Sequence, residues 1–130
     1  MFSHIVVGSN DLDRSRKFYD ATFGALGATA GTIDAKGRLV YSKDGARFLI
    51  TMPIDGREAT HANGGTIGLK MNSPEMVKAW HDAGVANGGS SIENPPGIRE
   101  SAAGRLFLAY LRDPDGNKLC GRSAVSETTP

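Results

Sequence analysis

The second half of this chain repeats the order of segments found in its first half. In each half a short apolar segment leads into an amphipathic segment, and an Asp-Gly pair later separates two further apolar segments. The repeat aligns Tyr19 with His81, and Asp44-Gly45 with Asp115-Gly116. Few residues are identical across the halves, so the repeat preserves a structural pattern rather than particular side chains. We therefore expect two copies of one supersecondary unit.

The first copy has the pattern of a βαβββ unit at residues 3–54. Residues 3–8 are apolar and β-branched, which predicts a buried strand. Apolar side chains then recur at three- and four-residue spacing, which predicts a helix that begins after the N-cap residue Asp11 and ends at Gly24. Three short strands are predicted at residues 28–34, 38–42 and 47–52, the last two joined by the Asp44-Gly45 turn.

The second copy covers residues 64–122 and follows the same plan. Its helix should begin after Ser73, since Pro74 suits the first helical position, and should end at Gly84. Strands are predicted at residues 66–71, 90–93, 106–111 and 118–121, and residues 123–130 are predicted as a frayed tail. The fold class is thus α+β, with two βαβββ units.

The centre of each helical apolar stripe is aromatic. Phe18 in the first helix aligns with Trp80 in the second. Because each lies in the middle of its stripe, we expect both side chains to pack against the outer face of the sheet.

Length, charge and cysteine content limit the class of protein. At 130 residues the chain is a single domain, 1–122, before the tail. A net charge of +1 gives no broad field for nucleic acid, and no apolar run reaches the roughly 20 residues of a membrane span, so neither is expected as a partner. One cysteine excludes an internal disulfide and a Cys-rich zinc module, and it favours a cytoplasmic location.

The duplicated unit ends in a specific turn, Asp113-Pro114-Asp115-Gly116-Asn117, between two apolar segments. A duplicated βαβββ unit with this turn resembles the vicinal oxygen chelate superfamily, which includes glyoxalases, bleomycin-resistance proteins and extradiol dioxygenases. The resemblance covers about residues 3–122. It implies that the two βαβββ units form a curved mixed sheet around a concave cleft, with the helices outside. It also implies a small organic molecule bound in the cleft, and a homodimer, since members of this superfamily often pair chains.

The resemblance also implies four cleft-lining positions, which hold a divalent metal in the metal-dependent members. Carried over by the repeat, these positions are His4, Leu49, Thr66 and Cys120. The family usually has His or Gln at the equivalent of Thr66, and Glu at the equivalents of Leu49 and Cys120, so only His4 matches. We expect no metal, or a divalent metal held weakly by His4 and Cys120, with zinc favoured by the thiolate. Glu100 or His61, both expected on loops, are the candidates to complete such a site.

Each candidate residue also has a purely structural interpretation. His4 is either a ligand or a hydrogen-bonded histidine of the sheet, and Cys120 is either cleft-lining or a small buried hydrophobe. Arg112 and Arg99 are either substrate clamps for a carboxylate or solvated charges. Three functions stay open: a lyase or dioxygenase-type enzyme, a metal-free protein that binds or sequesters a small molecule, and a cleft kept for dimer contacts. No catalytic residue is assigned.

Overall fold

The computed structural model describes residues 1–102 and 104–125, and it confirms the α+β class and the duplicated βαβββ pattern, with one additional strand in the second unit. Helix α1 spans Leu12–Gly24 and helix α2 spans Pro74–Ala86. The strands of the first unit are β1 (His4–Gly8), β2 (Thr32–Ile33), β3 (Leu39–Lys43) and β4 (Ala46–Thr51). Those of the second are β5 (Ile67–Lys70), β6 (Ser90–Ser91), β7 (Gly97–Ser101), β8 (Gly104–Arg112) and β9 (Lys118–Ala124).

Each unit forms its own mixed sheet. The first sheet has the order β1-β4-β3-β2, and the second has the order β5-β9-β8-β6, with β7 also paired to β8. In both sheets the first strand runs parallel to the last, and the other pairs are antiparallel. Both Asp-Gly pairs lie at strand connections, as predicted. Asp44 and Gly45 have φ of 52° and 82°, the left-handed geometry that a two-residue hairpin turn requires.

Both helices begin where the capping residues predict; α1 ends at Gly24 as predicted, and α2 ends later than predicted. The side chains of Asp11 and Ser73 accept hydrogen bonds from the backbone N–H groups of Arg14 and Met76, both at 3.1 Å. Gly24 remains helical, and Gly27, with φ of 85°, supplies the left-handed residue that closes α1. The backbone N–H of Ala28 donates to the Phe23 oxygen at 3.0 Å in this closure, and β2 (Thr32–Ile33) covers only two residues of the strand predicted at residues 28–34.

The prediction that Gly84 ends the second helix is wrong. Gly84 lies inside α2, where a Cβ atom would come within 2.4 Å of the Leu111 side chain and 3.2 Å of the Phe18 ring. Close packing therefore explains why a glycine occupies position 84. The left-handed residue after α2 is Gly88, with φ of 99°.

One hydrophobic core joins the two units on the helix-covered faces of the sheets. Trp80 is fully buried and packs against β9, as predicted. Its ring lies so close to Gly121 that a Cβ atom on this glycine would come within 2.9 Å of it. Phe18 is also fully buried, but it points to Gly84 and Gly89 of the second unit rather than to its own sheet. Tyr19 instead packs on the first sheet, with its ring centroid 5.3 Å from that of Phe48.

The C-terminal strand is longer than predicted. β9 continues through Ser123 and Ala124, two residues into the predicted tail, because Ser123 is buried and Ala124 pairs with Leu106. The remaining tail residues, 126–130, lie outside the described part of the chain. Within residues 1–102 and 104–125, no helix is long and apolar enough to cross a membrane.

Candidate ligand-binding site

The sheet faces that point away from the helices carry the four family positions, and we refer to them as the open faces. On β1, Ile5 and Val7 pack in the core, so His4 and Val6 point to the open face of the first sheet. Val6 pairs with Leu49 of β4, which places Leu49 on that same face. His4 is exposed and Val6 is 43% exposed, whereas Leu49 is completely buried.

The other two positions belong to the open face of the second sheet. Cys120 lies opposite Gly68 of β5 and opposite Tyr110 of β8, while its neighbour Leu119 packs in the core. Thr66 directly precedes β5 and is two residues from Gly68, so the alternation of the strand places it on the same face. The structure thus groups His4 with Leu49 and Thr66 with Cys120.

The open face of the second sheet carries a group of interacting polar side chains, which we call the Tyr110 cluster: Tyr110, Cys120, Lys118 and Glu93. Tyr110 is the strand partner of Cys120, and its hydroxyl can donate a hydrogen bond to the ionised thiolate. The neutral thiol donates to the Gly121 oxygen at 3.7 Å. The Lys118 ammonium lies 5.1 Å from the centroid of the Tyr110 ring and forms an ion pair with Glu93. Glu93 has φ of 59°, a left-handed conformation rare for a residue other than glycine. An aromatic ring, a thiol and a charged pair therefore meet at one place.

Burial controls the proton affinities in this cluster. Burial raises the pKa of Cys120, and the hydrogen bond from Tyr110 offsets part of that rise. Burial likewise raises the pKa of Tyr110, and the nearby Cys120 raises this pKa by a smaller amount. Both groups are therefore neutral at pH 7, and the thiol is a poor nucleophile there.

The alkylation rate of Cys120 should follow this shifted pKa. With iodoacetamide, we expect a rate at pH 7 below that of a free thiol, and a midpoint above the ordinary cysteine pKa. In Tyr110→Phe the midpoint should move further up, because the hydrogen bond that lowers the Cys120 pKa is removed. Tyr41→Phe, which changes a tyrosine of the helix-covered face, serves as the control. A midpoint at or below the ordinary cysteine value would contradict the buried thiol.

The two arginines considered as substrate clamps each bond to a nearby carbonyl oxygen. Arg112 Nη1 donates to the Gly116 oxygen at 2.7 Å, across the Asp-Gly turn. Arg99 Nη2 donates to the Pro95 oxygen at 2.7 Å. Register places both side chains on the open face of the second sheet, since Arg112 is two residues from Tyr110 and Arg99 pairs with Leu106. The clamp role stays a prediction.

The side chains at the four family positions do not fit a divalent metal site. The apolar side chain of Leu49 offers no donor atom, and the Nδ1 atom of exposed His4 lies 2.7 Å from Ser3 Oγ. In residues 1–102 and 104–125, no strand of one sheet has a Cα within 8 Å of a Cα of a strand in the other. Within the same ranges, no three His, Cys, Asp or Glu residues are grouped so as to hold a metal.

The residues considered for completing a metal site are placed elsewhere. Glu100 lies on β7, rather than on a loop, and pairs with Arg105 at 3.1 Å. His61 lies beside Gly116, where a Cβ would come within 2.9 Å of its Nδ1 atom. Neither residue is grouped with His4 and Cys120 in a ligand set within the described residues.

The Asp-Pro-Asp-Gly-Asn turn has a structural role that sequence analysis missed. Asp113 accepts hydrogen bonds from the Tyr19 hydroxyl at 2.6 Å and from Asn117 Nδ2 at 2.8 Å. Asp115 accepts from Arg14 Nη2 at 2.7 Å and from the backbone N–H of Asn10 at 2.9 Å. Burial raises the pKa of Tyr19, and the negative charge of Asp113 raises this pKa further. The turn therefore connects the second unit to the first through hydrogen bonds. The two aspartates of the turn were the sequence feature that could have indicated this role.

The fold defines a duplicated βαβββ class of protein, and each of its two sheets has an open face. The chain belongs to the Glyoxalase/Bleomycin resistance protein/Dioxygenase superfamily, whose family model matches residues 1–120. No curated protein gives a significant match.

Solved structures agree with this assignment. A glyoxalase/bleomycin resistance protein from Albidiferax ferrireducens T118 is 53% identical, with a TM-score of 0.91 over 95% of this chain and 98% of that one. A family enzyme from Burkholderia phytofirmans PsJN is 14% identical, with a TM-score of 0.71 over 95% and 98% of the two chains. A lactoylglutathione lyase from Agrobacterium tumefaciens is 17% identical, with a TM-score of 0.65 over 95% and 92%. The last two likenesses concern the fold alone.

Proposed function

We propose that this protein binds a small organic molecule on the open faces of its sheets without using a metal ion. The observation that carries the metal-free part is Leu49, a completely buried leucine at a position where the metal-dependent members place a carboxylate. A divalent cation needs about three protein donors, and His4 and Cys120 provide two at most.

The Tyr110 cluster supports a binding role on the second sheet. A tyrosine ring offers an apolar face and a polar tip, and Lys118 and Glu93 add charges of both signs beside it. Arg112 and Arg99 lie on the same face and retain further N–H groups for a carboxylate. The molecule best suited to this face is small and flat, with at least one polar or anionic group.

Metal titration by calorimetry tests the metal-free part of the proposal. Wild-type protein should show no stoichiometric binding of magnesium or manganese, because the hard oxygen donors are missing. Residual zinc binding should be weak, should weaken further as falling pH protonates the ligands, and should be lost in His4→Ala. His61→Ala is the matched control. Tight stoichiometric binding of magnesium, manganese or iron(II) would contradict the proposal and favour a lyase or dioxygenase-type enzyme.

A ligand screen tests the binding part. Flat aromatic compounds that raise the melting temperature of wild-type protein should have little effect on Tyr110→Leu. Lys36→Gln, a change on an exposed residue in the turn before β3, should retain the response of the wild type. Ligands that stabilise wild type and Tyr110→Leu equally would place the binding site away from the Tyr110 cluster.

Two further expectations stay proposals. A homodimer is supported by the exposed Val6 on the open face of β1, which a second chain would cover. Light scattering of wild type and Val6→Glu tests it, since the charged variant should be monomeric. A cytoplasmic location is supported by the single, unpaired cysteine.

A further inference from the structure

A second cavity lies on the helix-covered side of the first sheet, at the junction of the two units. Its volume is about 330 Å³, within the range of roughly 300 to 1,000 Å³ typical of small-molecule sites. Phe23, Tyr41 and Phe48 line it as a packed aromatic group, with centroids 5.0 Å apart for Phe23 and Tyr41 and 5.2 Å for Phe23 and Phe48. Leu26 and Leu69 add aliphatic surface, the latter from the second unit.

This cavity is separate from the open faces. Phe48 packs in the core and is adjacent in sequence to Leu49, so their side chains leave β4 in opposite directions. Ala46 is two residues before Phe48 and therefore points to the cavity side, although it is exposed. A molecule bound here would not contact the open-face positions His4 and Cys120.

The charged residues around the cavity are mainly cationic. Lys43, Arg47, Lys70 and the acidic Asp44 border it. Arg47 pairs with the open-face residue His4, and Lys70 follows the core residue Leu69. Alternation therefore directs both side chains away from the cavity and leaves Lys43 as the cation on the cavity side. Lys43 points to the cavity side, because it is two residues after Tyr41 on β3. Its ion pair with Asp44, at 3.4 Å, is exposed and therefore weak. Across residues 1–102 and 104–125, neither Arg47 nor Lys70 forms an ion pair.

We propose that this cavity binds a small carboxylate with an apolar body, namely an alkyl carboxylate. The apolar part lies against Phe23, Tyr41 and Phe48, where its burial drives binding. The carboxylate lies at the solvent side and accepts a charge-assisted hydrogen bond from Lys43. The inference is independent of the function proposed for the open faces.

Calorimetry with octanoate as the probe tests this site. Wild-type protein should bind one octanoate, and each added methylene up to decanoate should tighten binding about fourfold. The affinity of the wild type for octanol should be at least about tenfold lower than for octanoate. The affinity of Lys43→Gln for octanoate should fall by about the same factor, because both changes remove the charge-assisted hydrogen bond. Lys36→Gln, which neutralises an exposed lysine in the turn before β3, should bind octanoate like the wild type.

A filling variant separates this cavity from other sites. Ala46→Leu places a larger side chain into the cavity from an exposed position, so it should fold normally and lose octanoate binding. Tyr110→Leu should leave octanoate binding unchanged, which distinguishes this site from the open-face site. Unchanged binding in Ala46→Leu, or equal affinity for octanol and octanoate, would overturn the proposal. A change of molar mass in Ala46→Leu by light scattering would assign the cavity to a contact with a second copy and would also overturn it.

Discussion

Replacing Trp80 with alanine should lower the free energy of unfolding by about 3 to 5 kcal/mol, the range for removing a large buried aromatic side chain. Trp80 is completely buried and lies against Gly121 of β9, where a Cβ atom would come within 2.9 Å of its ring. Because the glycine has no side chain that could fill the space, the neighbouring residues can collapse only partly. Urea denaturation followed by circular dichroism measures the loss.

Two variants sharpen the test of Trp80. Val85→Ala, on the same helix and at a side chain that is 48% exposed, should cost less than about 1 kcal/mol. Trp80→Phe should cost less than Trp80→Ala, because the buried Nε1 group has no hydrogen-bond partner in the described residues. A loss below about 1 kcal/mol for Trp80→Ala would mean that Trp80 is not a core residue.

Asp113→Ala should destabilise the protein by at least about 3 kcal/mol. Four hydrogen bonds end on this carboxylate, from the Tyr19 hydroxyl, Asn117 Nδ2, and the backbone N–H groups of Asp115 and Asn117. Removing the carboxylate leaves several buried donors unpaired, each costing about 1 to 3 kcal/mol when no replacement partner is found. Chemical denaturation gives the change in stability.

A double-mutant cycle isolates the contact between the units. Tyr19→Phe removes only the hydroxyl, so its cost should be much smaller in the Asp113→Ala background than in the wild type. Asp55→Ala, in the exposed linker between the units, should change stability by less than about 0.5 kcal/mol. Strictly additive losses for Tyr19→Phe and Asp113→Ala would show that the two side chains do not interact.

The parts of the fold that depend on local chemistry could be predicted from the sequence. Asp11 and Ser73 cap their helices, and the two Asp-Gly pairs lie at strand connections, because each of these features depends on a few adjacent residues. Gly84 shows where this local reasoning fails. A glycine that ends a helix and a glycine that allows close packing look alike in sequence, and only the position of Leu111 distinguishes them.

The candidate site was predicted less completely than the fold. The four positions His4, Leu49, Thr66 and Cys120 came from the resemblance to the superfamily, carried over by the repeat, and their cleft-lining role stays a prediction. The Tyr110 cluster depends on the register of β8 and β9, which brings Tyr110 opposite Cys120, and on the left-handed backbone of Glu93. Strand β7 was missed because its five residues, Gly97–Ser101, lack an apolar alternation and gain their order from pairing with β8.

The turn at residues 113–117 also determines when the protein can complete its fold during synthesis. Its partners Gly8, Asn10 and Tyr19 lie about a hundred positions earlier in the chain. The first half emerges from the ribosome long before the aspartates that satisfy its buried groups, and until then the Tyr19 hydroxyl lacks its partner. The two units therefore differ in the order of their folding. The first unit is synthesised first but can complete its hydrogen bonds only after the second unit has been synthesised.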